Sequence, residues 1–270
     1  MPKLKTTLRI VREIIREPQR LARVIDPTRP SPKEVMQETF NRRPGLPQID
    51  LLELLPELDE TISPYSYLEG QALPTDIALL KGLARQRPGC RYLEIGTWRG
   101  ESLANVASVC TECVAITLSA NEMRDAGYSE AAIACEGFFT HDISNVRFMK
   151  QNSRTLDFSQ FGSYFDLVFI DGDHSTEAVR DDTRAALSVL RNENSAIVWH
   201  DYAVTPESVN WTTLEGIRLG LPPDKFSSVF HVSNTLCAVL LSNAAFPAKT
   251  VVFPQIPDKS FDITLRARHI

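Results

Sequence analysis

The chain has 270 residues, of which 43% are hydrophobic and 23% are charged, a composition typical of globular proteins rather than of disordered or repetitive chains. The 34 acidic residues outnumber the 29 basic ones and give a formal net charge of −5, which argues against nucleic acid as the main partner. No apolar run approaches the roughly 18 residues that a membrane span needs. We therefore expect a cytoplasmic protein without a transmembrane segment.

The first 75 residues are predicted to form a helical arm or cap on a main domain that spans residues 76–270. Residues 3–25 carry apolar side chains at helical spacing beside a row of basic ones, and Pro18 is expected to end or kink this helix. Its apolar stripe is expected to pack on the same chain or on a second subunit, which predicts a homo-oligomer formed through the arm. Peripheral contact with an anionic membrane and a transit peptide are the alternatives, and Glu13 and Glu17 count against both.

Residues 26–75 are rich in proline and are predicted to be irregular, with one short helix within residues 49–60. This stretch has too few apolar residues to build a core of its own. The pattern changes at residues 76–86, which form an amphipathic helix with Pro74 or Thr75 at its start.

Strands and helices alternate after residue 89, which predicts an α/β fold. Short connections force a hairpin around Asn234, so one strand near the end of the sheet should be reversed. We expect a Rossmann-like, open, mostly parallel sheet of about seven strands with helices on both faces. The predicted helices include residues 101–110 and 175–190, and the predicted strands are residues 91–96, 113–119, 146–151, 165–171, 196–201, 227–233 and 235–242.

The five cysteines are an odd number in a chain with no evident secretory signal, which favours reduced thiols. Cys110 and Cys113 form a lone C-x-x-C pair without a second pair of ligands at zinc-site spacing. We interpret both as packing residues, with a structural zinc as the weaker alternative.

A glycine-containing turn follows the first strand of the predicted sheet. The strand ends at Glu94-Ile-Gly96, and Gly100 precedes a helix. Glycines let a ligand approach the backbone closely, and a helix N-terminus offers unpaired N–H groups. The spacing G-x-x-x-G after an acid favours a ligand with a cationic amino-acid end over a pyrophosphate, which Glu94 would repel. A tight turn without any ligand is the alternative.

In this turn and in its sheet order, the chain resembles the class I S-adenosylmethionine-dependent methyltransferases over about residues 76–242. The resemblance implies that the cofactor binds over the turn. That family usually has an acid at the end of the second strand to hold the ribose, whereas this chain has Thr117-Leu-Ser119. A hydroxyl can take over that contact, and Asn152-Ser153 stand where the family contacts the adenine. The cofactor residues implied are Glu94, Gly96, Thr97, Trp98, Gly100, Thr117, Ser119, Asn152, Ser153 and Asp171.

Two buried strands end abruptly in polar clusters, Asp171-Gly-Asp173-His174 and His200-Asp201. These strands are neighbours in the expected topology, so we expect the clusters to lie side by side. Packing alone does not explain such endings, and groups of this kind are typical of functional sites. A purely structural role is the alternative for Asp173, as a cap of the following helix.

The two clusters together resemble a subgroup that includes catechol-type and macrolide-sugar O-methyltransferases and proteins named as cephalosporin hydroxylases. Carried over by position, the resemblance implies that Asp171, His200 and Asp201 bind a divalent metal, in that subgroup Mg²⁺, and that His174 is the general base. His200 departs from the usual oxygen ligand, so it faces elsewhere, acts through water, or serves a softer ion such as Mn²⁺.

The resemblance implies a metal-assisted enzyme that methylates a hydroxyl of a small molecule such as a sugar, a glycan or a natural product. Two other hypotheses stay open: a cofactor-binding protein without methyl transfer, and an NAD-dependent dehydrogenase, which the glycine spacing disfavours. The acceptor pocket is expected to involve the N-terminal arm and residues 120–142 and 203–225. Aromatic residues there either face the acceptor or pack in the core: Tyr128, Phe138, Phe139, Tyr202 and Trp211.

Overall fold

The computed structural model describes residues 31–39, 45–70, 72–241, 246–247, 249 and 253–270. The amphipathic helix predicted for residues 3–25 lies outside the described residues. No helix among the described residues is long and apolar enough to cross a membrane.

The described residues form one sheet of eight strands in the order β1-β7-β8-β6-β5-β2-β3-β4. All neighbouring pairs are parallel except those that involve β8, which runs antiparallel to β6 and β7. The chain runs from β2 outwards to β4 and returns to β5 on the other side of β2, so the order reverses between β2 and β5. The strands are β1 (Gln48–Ile49), β2 (Arg91–Ile95), β3 (Glu112–Thr117), β4 (Val146–Lys150), β5 (Leu167–Ile170), β6 (Ala196–Trp199), β7 (Val229–Val232) and β8 (Ala238–Leu241).

Helices cover both faces of the sheet. Alternate residues of each central strand point to opposite faces, so Tyr92 and Phe169 join one apolar core and Leu93 and Ile170 join the other. Strands β5 and β6 are apolar throughout because both of their faces are buried. The helices are α1 (Pro32–Thr39), α2 (Leu51–Leu54), α3 (Pro74–Arg85), α4 (Glu101–Ala107), α5 (Ala120–Asp125), α6 (Glu130–Cys135), α7 (Thr176–Val189), α8 (Trp211–Gly220) and α9 (Pro223–Phe226).

The α/β prediction, the mostly parallel sheet and the reversed strand are confirmed. The count of about seven strands is wrong by one, because Gln48 and Ile49 pair in parallel with His231 and Val232 at the edge of the sheet. A strand of two residues is too short to show an alternating pattern, and its neighbourhood is rich in proline. The segment predicted to be part of an arm therefore contributes to the sheet.

The cysteines carry free thiols in the structure. Cys90, Cys113 and Cys237 are buried in one of the two cores, and Cys110 packs against it. The interpretation of Cys110 and Cys113 as packing residues agrees with these positions.

Candidate active site

The carboxyl ends of β2, β5 and β6 meet at the point where the strand order reverses. The N–H of Asp171 donates to the carbonyl of Ile95 at 2.8 Å, and the N–H of His200 donates to the carbonyl of Ile170 at 3.0 Å. The parallel register therefore brings the residues that follow each strand side by side. Ligands of open α/β sheets bind at such a reversal point.

Asp171, His200 and Asp201 form a compact cluster at this edge. The Nδ1 atom of His200 lies 3.0 Å from Oδ1 of Asp171 and 3.2 Å from Oδ2 of Asp201. One potential ligand atom from each residue falls within 4.8 Å of the other two. Asp201 has φ of 50°, a left-handed conformation that few non-glycine residues adopt and that occurs at functional sites. The sequence prediction that these three residues lie together agrees with this geometry.

The charges of this cluster set the protonation of His200. Burial by itself lowers the pKa of His200, but the charge of Asp171 and the contacts with Asp201 and Asp76 outweigh it and hold that pKa well above the ordinary value. Burial raises the pKa of Asp201, and the partners His200 and His174 more than reverse that effect. The carboxylate of Asp201 is thus ionised beside the imidazole of His200.

These residues fit a divalent cation. The Nδ1 atom of His200 is buried and has no hydrogen-bond partner of acceptable angle among the described residues, although two carboxylate oxygens lie near it. Side-chain exposures of 23% for Asp171 and 30% for Asp201 leave the carboxylates open to a ligand. One imidazole nitrogen with two carboxylate oxygens suits Mn²⁺ and similar ions better than Mg²⁺, which prefers oxygen alone.

His174 lies at the open side of this cluster. Its Nδ1 atom is 3.2 Å from Oδ2 of Asp201, and its side chain is 52% exposed. Ser175 caps α7 by accepting from the N–H of Ala178, whereas Asp173 accepts from the N–H of Ser175. The helix cap is therefore Ser175, and the capping role considered for Asp173 is wrong because Asp173 instead closes the turn before the helix.

Asp76 is a member of the cluster that sequence reasoning missed. Its side chain is fully buried at the start of α3, and its Oδ2 atom lies 3.2 Å from Nε2 of His200. An acid near a helix start is an ordinary capping signal, and indeed Asp76 accepts from the N–H of Leu73. No sequence pattern connects it with a histidine 124 positions away.

The carboxylate of Glu94 lies beneath the glycine turn and is fully buried. It accepts hydrogen bonds from the hydroxyl groups of Tyr92, Thr97 and Ser102. Burial raises the pKa of Glu94 to about 7, and these three donors only partly offset that effect. In the structure Glu94 thus supports the turn from below.

The glycines of the turn are required by the protein's own contacts. Gly96 has φ of +92°, and a Cβ atom there would lie 2.3 Å from the carbonyl oxygen of Asp171. Gly100 has φ of +82°, and a Cβ atom would lie 2.8 Å from Cγ2 of Thr140. Close packing against the residue that follows β5 and against the 137–140 segment is thus one reason for these glycines, and their contact with a ligand stays a prediction.

The other predicted cofactor residues line the ends of β2, β3 and β4. Trp98 is half-buried beside Tyr128, with 6.2 Å between ring centroids. The hydroxyl of Thr117 donates to the carbonyl of Thr97 at 3.4 Å. The remaining members, also half-buried at this edge, are Ser119, Asn152 and Ser153.

Glu122 connects two of these strand ends and was also missed. Its carboxylate accepts from the N–H of Ser119 at 2.8 Å and from the N–H of Asn152 at 3.1 Å. Ser119 in turn caps α5 by accepting from the N–H of Glu122. The Ser-x-x-Glu spacing is a capping-box signature that the sequence displays. The link to Asn152, however, depends on the pairing of β3 with β4.

The aromatic residues considered for the acceptor pocket separate into two groups. Tyr202 is buried, and its hydroxyl accepts from the N–H of Leu46, so it is a packing residue. Trp211 is half-buried at the start of α8 and packs against a core. Phe139 is half-buried, and Tyr128 and Phe138 are exposed.

Residues 93–202, less than half of the chain, match the family model described as "Methyltransferase domain". No curated protein sequence matches the chain significantly.

Three solved structures are among those to which the chain is similar. YcgJ of Bacillus subtilis shares 19% identity over 46% of this chain and 48% of its own, with a TM-score of 0.34, so this chain spans about half of its length. The SAH-bound methyltransferase PaMTH1 of Podospora anserina shares 17% identity over 67% of this chain and 84% of its own, with a TM-score of 0.44. The O-methyltransferase TomG of Streptomyces achromogenes, in complex with SAM, shares 18% over 65% of this chain and 83% of its own, with a TM-score of 0.43.

Proposed function

We propose that this chain is an S-adenosylmethionine-dependent O-methyltransferase that acts on a hydroxyl of a small molecule with the help of a divalent cation. The observation that carries the proposal is the cluster of Asp171, His200 and Asp201 beside the glycine turn, within a segment that matches the methyltransferase-domain family. Sugars, glycans and natural products are the acceptor classes that we infer.

The cofactor is expected to lie along the carboxyl ends of β2, β3 and β4. This edge borders the point where the strand order reverses, and it carries half-buried polar side chains. Glu94 contributes from beneath the turn, and Asp171 stands at the border with the cation cluster. The proposed contacts are Gly96, Thr97, Trp98, Gly100, Thr117, Ser119, Asn152 and Ser153.

Methyl transfer needs a deprotonated or strongly polarised acceptor oxygen. When bound, a divalent cation lowers the pKa of a hydroxyl that it contacts and fixes its position. Asp171, His200 and Asp201 would hold that cation with one nitrogen and two carboxylate oxygens. The transfer itself is a displacement without a covalent enzyme intermediate, so alignment of the two substrates supplies most of the acceleration.

His174 is the proposed general base. Its Nδ1 atom faces Asp201, so Nδ1–H donates to that carboxylate and Nε2 is left as the ring atom that accepts a proton. The exposure of the ring places it where an acceptor arrives from solvent. Asp201 would then both hold the cation and orient the base.

The test is a methyl-transfer assay with S-adenosylmethionine carrying a labelled methyl group and a panel of sugar, glycan and phenolic acceptors, run with Mn²⁺, with Mg²⁺ and with EDTA. We expect labelled product that requires the cation. Calorimetric titration with S-adenosylmethionine and with NAD on the same sample separates the alternatives. Binding of NAD alone would contradict the proposal, and binding of S-adenosylmethionine without transfer to any acceptor would favour a binding protein.

A further inference from the structure

Asp76 is a buried carboxylate whose position the proposed reaction does not yet explain. Its Oδ2 atom accepts from the N–H of Leu73 at 2.7 Å, and its Oδ1 atom accepts from the N–H of Leu236 at 2.8 Å. The same Oδ2 atom lies 3.2 Å from Nε2 of His200. The carboxylate therefore joins the start of α3, the connection between β7 and β8, and the end of β6.

We propose that Asp76 is a positioning residue that fixes the tautomer and the ring orientation of His200 toward the cation. A cation ligand needs the lone pair of Nδ1, on the side where Asp171 and Asp201 lie, so the single ring proton has to stay on Nε2. An ionised carboxylate accepts hydrogen bonds and never donates, so Asp76 stabilises the proton on Nε2 when a cation replaces the proton on Nδ1. This inference rests on the proposed function, because it assumes the cation site.

The ring of His200 is closely packed. His200 is only 7% exposed, and its ring packs edge-on against Phe169 with 5.9 Å between centroids. Because Asp76 is anchored by two backbone N–H groups, its carboxylate is itself fixed before it meets the histidine. A histidine whose second ring N–H donates a hydrogen bond to a carboxylate is a stronger and better oriented metal ligand.

The same carboxylate also stabilises the segment that carries Asp201. Leu236, whose N–H donates to Asp76, accepts at its carbonyl from the N–H of Ala203 at 3.1 Å. Ala203 follows Asp201 by two residues. Asp76 thus supports two of the three proposed cation ligands, His200 directly and Asp201 through Leu236 and Ala203.

The test compares the full chain with the variants Asp76→Asn and Asp166→Asn. Asp166 is the matched control, because it is also a buried carboxylate that accepts from a backbone N–H, but it lies at the opposite edge of the sheet. Mn²⁺ binding is measured by electron paramagnetic resonance, and S-adenosylmethionine binding by calorimetry. Removing a group that hydrogen-bonds to a metal-binding residue typically weakens metal affinity about 10–100-fold, and we expect this loss for Asp76→Asn.

The readouts separate this inference from the proposed function. Asp166→Asn should bind Mn²⁺ as the wild type does, and both variants should keep their affinity for S-adenosylmethionine. Unchanged Mn²⁺ affinity in Asp76→Asn, or an equal loss in Asp166→Asn, would overturn the role of Asp76. A wild type that binds no Mn²⁺ overturns this inference together with the cation of the proposed function. If Asp76→Asn alone loses Mn²⁺ affinity but the wild type transfers no methyl group, only the proposed methyltransferase activity is overturned.

A second measurement does not depend on whether Asp76→Asn folds. In the wild-type chain labelled with ¹⁵N-histidine and loaded with diamagnetic Zn²⁺, the spectrum reports which ring nitrogen carries the proton, and His200→Gln identifies the signal. We expect a proton on Nε2 that exchanges slowly with water. A proton on Nδ1 would overturn the proposal.

Discussion

Strand β5 has an aspartate at each end, and the two have opposite surroundings. Asp166, at the amino edge of the sheet, accepts from the N–H of Arg91 and pairs with the guanidinium groups of Arg91 and Arg191. Asp171, at the carboxyl edge, faces His200 and lies near a second carboxylate, Asp201. Within the part of the chain that the structure describes, no lysine or arginine pairs with Asp171 or Asp201.

The two ends of β5 differ in whether the fold neutralises the carboxylate permanently or leaves it open to a cation. An arginine is always protonated, so the charge of Asp166 is neutralised permanently by the fold. An imidazole can lose its proton and become a metal ligand, so the carboxylates beside His200 retain the capacity to bind a cation. Two buried or half-buried acids on one strand thus have different roles because of their partners and not because of their burial.

The largest effect is expected from the loss of a carboxylate at the carboxyl edge. Asp201→Ala removes a proposed cation ligand and the partner of His174, so turnover should fall to the background rate. The measurement is methyl transfer with Mn²⁺, with EDTA treatment of the wild type as the parallel condition. Activity that survives both EDTA and Asp201→Ala would remove the cation from the mechanism.

His174→Ala is expected to lower kcat by about 10²–10⁴-fold, the usual contribution of a general base. Because its side chain is half exposed and Ser175 provides the helix cap, the thermal midpoint and the cofactor affinity should change little. Turnover and thermal unfolding are measured on one purified sample. A lower midpoint with normal kcat would instead identify His174 as a structural residue.

Gly96→Ala and Gly172→Ala form a matched pair at the same edge. A Cβ atom at Gly96 would meet the backbone of Asp171 at 2.3 Å, whereas one at Gly172 would meet its nearest neighbour, Asp182, at 3.5 Å. We expect Gly96→Ala to lower the free energy of unfolding by about 3 kcal/mol or more through backbone strain and overpacking. Gly172→Ala should unfold like the wild type in urea. Equal stability of the two variants would contradict the packing explanation for Gly96.

Glu94 offers a pH test on a third carboxylate of the sheet. Burial raises its folded-state pKa to about 7 from an ordinary value of 4.5. The stability that the protonated form contributes is therefore fully present below pH 4.5 and is lost as the pH rises through 7. Relative to Glu94→Gln, the wild type should lose about 3 kcal/mol of unfolding free energy over that range. Urea titrations of both proteins at several pH values measure this loss. If stability changes with pH equally in the two proteins, the pKa of Glu94 is not raised by folding.

Asp166→Asn is expected to have the smallest effect of these variants, a modest loss of stability with no change in catalysis. Loss of one acceptor should lower the free energy of unfolding by about 1–3 kcal/mol. The kcat value should remain that of the wild type, because Asp166 lies at the edge away from the candidate active site. A drop in kcat without a change in stability would mean that the two edges are coupled.

Much of the fold was predictable because the central strands are buried on both faces. Strands β5 and β6 are apolar until their last residue, and polar residues follow at once. Strand β1 was not predictable, because two residues, Gln48 and Ile49, are too few to show the alternation of a strand. They form a strand by pairing with β7. Predictions for residues 1–30 fall outside the residues described.

The hydrophobic pattern of the chain is enough to predict which residues follow each strand, and therefore that Asp171, His200 and Asp201 share one edge of a parallel sheet. Strand length and strand ends are local properties, so a local pattern encodes them. Tertiary packing is what brings Asp76 to His200, gives Asp201 its positive φ, and packs Gly96 on the backbone of Asp171. These contacts join residues distant in sequence, and their geometry depends on how helices and loops pack on the sheet.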